Sequence, residues 1–518
     1  MATGERPGRT ATFTHTFRLE VDGGPADVLG ARFDAATRLY NDVLAECFRR
    51  ARRMRESRLW TRARRLRADP QQRAELFQQA REAHGFRLFD LFPFVAGLRA
   101  GELGHHLDSN TARGVAVRAF HAVNDWILHR RGRPRFKSRR RGLRSVGGTC
   151  YGGIRLAFAA PAGADPLTGC EVRWTGLRLH LRFRHGRSAA RHSAGHRRVI
   201  EHALGHRIKF VRILRKTHGT RVRWYAQLVL QGNPLCRVPA GDEVVGWDLG
   251  VSTSAWVGAT KAALVPFAPG LRDQRRRFRR LQRRIDRQRR AGNPEHYHPD
   301  GTVQPGRKRW RVSARQAEVE RRLADGRRRQ AEQRRNENNR LANRIVATGR
   351  FIRTEDVHVG SWTRMFGRQV GRSAPAGALQ AVTRKAESAG GHVDRLPLRL
   401  ACSQTCVCGA REPKALSQRV HHCPHCGLRM QRDLLSAFLA RCTEATVLHA
   451  GRVRETWPAA EPLLRAAWRD AQSASAPGVE SPGGHRNAVG ADRARSGTPV
   501  PSPPAGCREG ASPTERPA

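Results

Sequence analysis

The chain has 518 residues, 39% of them hydrophobic and 27% charged, enough apolar content to bury a core and exclude wholesale disorder. Its 97 Lys and Arg stand against 44 Asp and Glu, a formal net charge of +53 that means either a polyanionic partner or strong self-repulsion. No run of about 18 uncharged apolar residues occurs, so a helical membrane span is excluded, and the opening MATGERPGRTATFTHTF lacks the apolar stretch of a secretory signal.

Only seven of the 97 basic residues are lysine. GC-rich coding explains arginine in place of lysine but not the surplus itself. Arginine forks onto phosphates and stacks on bases, which suits nucleic acid and RNA above all.

Residues 11–20 alternate polar and β-prone side chains and read as one edge strand. From Leu29 the period changes: Leu29, Phe33, Ala36, Tyr40, Val43 and Cys47 form a helical stripe. Helical signals continue to about Leu128, with apolar clusters at 86–98 and at Val115, Val117, Phe120, Val123 and Ile127. A basic, Pro/Gly-broken linker follows at 130–142. Residues 150–232 alternate apolar and basic residues, as a half-buried antiparallel sheet does. The sheet therefore opens at residue 11 and resumes near 150 around a helical insertion.

A third unit opens with the apolar strand that follows Glu243. Segment 271–345 is mostly helix and mostly arginine, with a narrow stripe of Leu271, Phe278, Leu281 and Ile285 and a turn-rich interruption at 293–306. A solvated helical hairpin is the bland reading, and the excess of arginine over acid favours a nucleic-acid face. Then come an apolar strand at 350–357, a Gly/Ser loop, a helix near 377–389, a strand in HVDRLPLRL, a cysteine cluster and a helix from Asp433. The tail from about Ala474 is Pro/Gly/Ser-rich and is expected to be disordered.

Five of the eleven cysteines (Cys402, Cys406, Cys408, Cys423, Cys426) fall within 25 residues, which reads as metal binding and not as a disulfide framework. Cys423 and Cys426, followed by glycine, make one knuckle of a tetrahedral zinc site. Cys406 and Cys408 make a first knuckle one residue shorter than usual, so Cys402, His421, His422 or His425 could replace a thiol. The zinc is expected to be structural. Buried free cysteines are the alternative, but they would neither cluster nor carry a glycine after each pair.

Three acids stand at suggestive places: Asp248 in the apolar run 244–251, Glu355 at the end of 351–354, and Asp433 opening a helix. A two-metal nuclease needs several hard oxygen ligands converging from different parts of one fold. Taken singly each is weak, because a strand carboxylate is more often an ion-pair partner and Asp433 alone is more often a helix N-cap. A buried carboxylate is costly without a cation, and in this chain arginine could supply it.

As a joint pattern these residues resemble a family. Gly246-x-Asp248-Leu249-Gly250-Val251, Thr354-Glu355-Asp356-x-x-Val359, Ser403-Gln404-Thr405-Cys406 and Cys426-Gly427 followed by Arg432-Asp433 are similar to the RuvC motifs and zinc ribbon of TnpB, the transposon-encoded nuclease, and of type V CRISPR effectors, here of miniature size. Pro134–Ser138 resembles that family's PRFK segment. Lys385-Ala386 with Gly391, and Leu341–Ile345, resemble its helices before the ribbon and before the second acid. The family usually has an asparagine where Leu434–Ala437 stand.

The resemblance implies an α+β multidomain fold. It comprises a wedge-like antiparallel β-barrel (1–27 and 131–242) with an inserted helical recognition domain (28–130). An RNase H-like α/β RuvC domain (243–400, then 431–472) follows, carrying an inserted zinc ribbon (401–430) and ending in a tail (473–518). It further implies that Asp248, Glu355 and Asp433 bind catalytic magnesium as a pair of ions, and that Cys406, Cys408, Cys423 and Cys426 bind zinc. The partners it implies are a guide RNA, the target double-stranded DNA and the displaced single strand, for a cytoplasmic prokaryotic protein that joins the nucleoid when bound. Base pairing would choose the sequence while the protein reads only a short flanking motif. A strand-transfer enzyme and a non-cutting guided binder are the rival readings, and the ribbon between the second and third acids speaks against the former.

Overall fold

The computed structural model describes residues 11–138, 142–148, 152–158, 170–182, 189–236, 239–306, 308–415, 418–444 and 446–474. Chain contacts separate residues 1–471 from 472–518, and the elements below belong to the first unit apart from the end of the final helix. The expected tail beyond Ser473 lies almost wholly outside the described residues.

Seven antiparallel strands form the first sheet: β1 (Thr12–Leu19), β2 (Ser145–Gly147), β3 (Ile154–Phe158), β4 (Cys170–Trp174), β5 (Leu177–Arg182), β6 (Ile208–His218) and β7 (Arg221–Gln231), in the order β2-β6-β7-β1-β5-β4-β3. β1 is thus the middle strand, not the edge strand its sequence suggests. Alternation fixes which side chains face the core (Phe13, Phe17 and Leu19 are buried) but carries no information on how many neighbours a strand pairs with. The expected barrel is not closed. The outer strands β2 and β3 share no hydrogen-bonded ladder among the described residues, although β3 curls back against β6.

Helices α1 (Gly24–Glu56), α2 (Arg58–Arg65), α3 (Pro70–Ala83), α4 (Phe92–Leu98), α5 (Gly104–His106) and α6 (Ser109–Ile127) come between β1 and β2. The whole Leu29-to-Cys47 stripe of α1 is buried and packs on α6 and on the sheet, with Phe33 and Trp224 rings 5.0 Å apart. Asp108 links the two layers. Its Oδ1 caps α6 by accepting the Thr111 N–H at 2.9 Å, while its Oδ2 accepts from Trp174 Nε1 at 3.0 Å. One helix, α7 (Ala189–Leu204), has no counterpart in the sequence expectation for 150–232. Val199, Ile200 and Ala203 bury one face of it, a stripe too short to stand out between alternating strands.

The second sheet contains β8 (Val244–Leu249), β9 (Thr253–Val257), β10 (Ala262–Pro266), β11 (Phe351–Glu355) and β12 (His392–Leu396), ordered β10-β9-β8-β11-β12. The first three are an antiparallel meander, and β11 and β12 run parallel to β8. Between β10 and β11 lie α8 (Arg275–Ala291) and α9 (Ala314–Thr348). α10 (Val359–Ser373) and α11 (Pro375–Ser388) precede β12. α10 replaces the expected Gly/Ser loop: Val359, Trp362 and Val370 keep a helical stripe despite three glycines, with a kink at Phe366.

The two arginine-rich helices differ in charge. On α9, acids one turn away pair with half of its ten arginines: Glu318 with Arg321 and Arg322, Asp325 with Arg328 and Arg329, and Glu337 with Arg340. On α8, Arg276, Arg280, Arg283 and Arg287 form an exposed stripe with no acidic partner among the described residues.

After β12 come a two-stranded hairpin, β13 (Val420–His422) with β14 (Arg429–Gln431), then α12 (Arg432–Cys442) and α13 (Ala450–Ser473). α9 and α11 cover one face of the second sheet, packing Leu341, Ile345, Ala378 and Val382 on Val245, Trp247 and Ile352. α12 and α13 cover the other, packing Leu434, Phe438 and Leu464 on Ala255 and Val257. No described helix is long and apolar enough to cross a membrane.

Candidate active site and candidate metal centre

Successive strand residues face opposite sides of a sheet. Val245, Trp247 and Leu249 face α9 and α11, so Gly246 and Asp248 face α12. Gly246 marks the closest approach, because a Cβ there would collide with the Ala437 carbonyl oxygen and the Arg441 nitrogen of α12. Ile352 shares the α9 side, which turns Arg353 and Glu355 toward α12; Arg353 Nη1 donates to the Arg441 carbonyl at 2.9 Å. Gly246 pairs with Arg353 in the parallel ladder. Two residues further along, Asp248 and Glu355 emerge on that same face at the strand ends.

Asp433 lies in the first turn of α12 and is 3% exposed. The N-cap of that helix is Gln431, whose Oε1 accepts the Leu434 N–H at 2.7 Å. Asp433 is therefore free of the capping role that competes for an acid at a helix start.

The charges interact. Burial, then the Asp433 and Glu355 charges, hold the Asp248 carboxyl well above its ordinary value, with Arg432 and Arg419 partly offsetting them. Burial also raises Glu355, against the backbone N–H of Cys402, which donates to its Oε1 at 2.9 Å. Asp248 has no hydrogen-bond or ion-pair partner among the described residues. Asp433 is heavily partnered: Thr253 Oγ1 donates to Oδ2 at 3.0 Å, Arg432 holds Oδ1 at 3.0 Å, and Arg419 lies 3.6 Å from Oδ2. Direct guanidinium contact, the compensation anticipated for a buried acid, is thus made at Asp433 and acts on Asp248 only through space. The carboxylates stand apart enough that, among the described residues, only cysteines bring three or more ligand atoms within 4.8 Å of one another.

Those cysteines are Cys406, Cys408, Cys423 and Cys426, a four-thiol cluster that could hold a zinc ion. Cys406 and Cys426 sulfurs lie 3.5 Å apart, and those of Cys408 and Cys423 3.6 Å. Burial acts against the Cys423 thiolate, but backbone N–H groups of Cys426 and His425 and the neighbouring thiols bring its pKa down to about 7. The short first knuckle closes without a substitute. Cys402 sits beside Glu355 instead, His425 Nε2 lies 3.3 Å from Glu412, and the buried His421 has both ring nitrogens unpartnered.

Residues 378–439 match the family model described as Cas12f1-like, TNB domain. Over that segment the chain resembles the Cas12f1-like proteins, which are miniature type V effectors. No curated protein matches it. Solved structures similar to the chain include a Cas12f1–sgRNA–target DNA complex, at 12% identity, covering 83% of this chain and 98% of that one with a TM-score of 0.40. A CRISPR-Cas12f ternary complex aligns at 11% identity over 82% of each chain with a TM-score of 0.27.

Sequence reasoning named the three acids and the four clustered thiols as candidates but gave no role to Arg419, Thr253 or the Cys402 backbone. Gly246 alone carried a legible signal, an isolated glycine inside an apolar strand.

Proposed function

We propose that the chain is an RNA-guided DNA endonuclease that cuts phosphodiester bonds with divalent ions held by Asp248, Glu355 and Asp433. The observation that carries this reading is the shared α12 face, on which strand alternation sets Asp248 and Glu355 beside the first turn of α12. The donor set fits magnesium: hard carboxylate oxygens from three distant segments, one of them, Asp248, half-buried among like charges with no hydrogen-bond or ion-pair partner among the described residues. When bound, a pair of ions would stabilise both the attacking and the leaving oxygen. The chain's own residues fix the geometry. Cys402 N–H orients Glu355, Thr253 and Arg432 orient Asp433, and the close contact at Gly246 sets the depth of Asp248.

On this reading the four thiols take structural zinc, and residues 401–430 form a ribbon bracing the start of α12. The first sheet with its helical insertion and the bare arginine stripe of α8 hold a guide RNA and its DNA target by backbone contacts, in a cytoplasmic setting. Guided cutting is tested with Asp248→Ala and Glu355→Ala in full chain loaded with guide RNA. Each should abolish DNA cleavage and leave RNA binding intact, and cleavage that survives both single changes would refute the assignment. One observation favours a second reading, guided binding without efficient cutting: the two guanidiniums on Asp433. Tight guided binding with no product in magnesium would establish it.

A further inference from the structure

The two guanidiniums on Asp433 are built differently. Arg432 is 11% exposed; its Nη1 donates to the carbonyls of Gln418 at 3.0 Å and Ala415 at 3.4 Å, while Nε and Nη2 hold Asp433 Oδ1 at 3.2 and 3.0 Å. It is a fixed clamp between the hairpin's approach loop and the third acid. Arg419 is 49% exposed and reaches the other oxygen, Oδ2, at 3.6 Å. Its guanidinium has no second anchor among the described residues.

The Arg419 end of the pair is half-exposed and long, and Arg432 and Thr253 remain on the buried Asp433 when it leaves, so the side chain can leave at modest cost. Its position matters more than its strength. It holds a positive charge on the oxygen of Asp433 that Arg432 leaves open, and within electrostatic range of Asp248.

We propose that Arg419 is a displaceable counter-cation. It takes the electrostatic place of a divalent ion at Asp433 in the nucleic-acid-free protein and gives it up when a phosphodiester draws the guanidinium away, while Arg432 stays as a positioning residue. This rests on the metal-binding reading above and adds its regulation. A guanidinium fork matches phosphate oxygens, so entering nucleic acid offers Arg419 a better partner than a carboxylate 3.6 Å away. By linkage, nucleic acid that removes Arg419 must tighten metal binding, and metal must tighten nucleic-acid binding equally.

The test measures free Mn²⁺ by electron paramagnetic resonance during titration of the zinc-loaded full chain, with and without a single-stranded oligonucleotide. Without nucleic acid, Arg419→Gln should bind Mn²⁺ roughly tenfold more tightly than wild type, the scale of removing a partly screened charge beside the ion. Arg419→Lys, which keeps the charge, should stay near wild type. Oligonucleotide should tighten Mn²⁺ binding to wild type more than to Arg419→Gln. Unchanged or weaker Mn²⁺ binding by Arg419→Gln, or equal tightening in both proteins, overturns the proposal. Asp433→Asn and Asp248→Asn separate the two levels. If they bind Mn²⁺ as wild type does, the metal-binding reading itself fails; if they lose it and Arg419→Gln gains nothing, only the counter-cation fails.

Discussion

Gly246 of β8 lies directly beneath the carbonyl of Ala437 in α12, with no room for a side chain between strand and helix. Gly246→Ala should therefore force the helix off the sheet. The expected cost is about 1–3 kcal/mol, the usual range for overpacking a filled core. Chemical denaturation would show it as a lower midpoint, and cleavage should fall with it because Asp433 rides on the displaced helix. An unchanged midpoint would show that α12 does not sit where the structure has it.

The crowded charge at Asp248 makes a prediction about pH. Its folded pKa lies above the ordinary 3.8, so the native state binds more protons than the unfolded chain through that window. Its contribution to stability is therefore present at low pH and is lost as pH rises through the raised value. Asp248→Asn should melt higher than wild type at neutral pH without divalent ions, and this part of the pH slope should vanish. Thermal melts between pH 4 and 8 measure it, and a variant that melts lower at pH 7 would contradict the arrangement.

Zinc should be held at one equivalent by the four thiols. Cys423→Ser should release it to a colorimetric chelator and lower the melting temperature, while Cys402→Ser should retain it, since Cys402 stands outside the cluster. Equal zinc loss in both would move the ligand set.

Nucleic-acid affinity should fall steeply with salt. With several phosphates neutralised by exposed arginines, binding should weaken about 10³- to 10⁵-fold between 50 and 200 mM salt. Charge reversal of Arg276 and Arg280 on α8 should flatten that slope more than reversal of the acid-paired Arg321 and Arg329 on α9. Filter binding across a salt series decides between them.

Much of this was written in periodicity. The buried stripe of α1, the apolar runs that became β8 and β11, and the spacing of the thiols are local patterns, and local patterns survive in a sequence read alone. What the sequence withheld is relational. Nothing in residues 11–20 says that β1 has neighbours on both sides, and nothing near 150 says whether the first sheet closes. α7 was hidden because the inner face marked by Val199, Ile200, Ala203 and Leu204 is a short stripe between alternating strands. The partners of Asp433 come from Thr253 and Arg419 as well as adjacent Arg432, and one arginine among 90 carries no mark of being the one that reaches an acid.

The segment that carries the thiols touches two of the three acids, through Cys402 just before the first pair on Glu355 and through the Gln418–Arg419 stretch between the pairs on Asp433. Oxidation of those thiols, or a mercurial, would disarm the carboxylates without reaching them. On the proposed reading, DNA cutting would then be lost before nucleic-acid binding, which rests on exposed arginines such as those of α8.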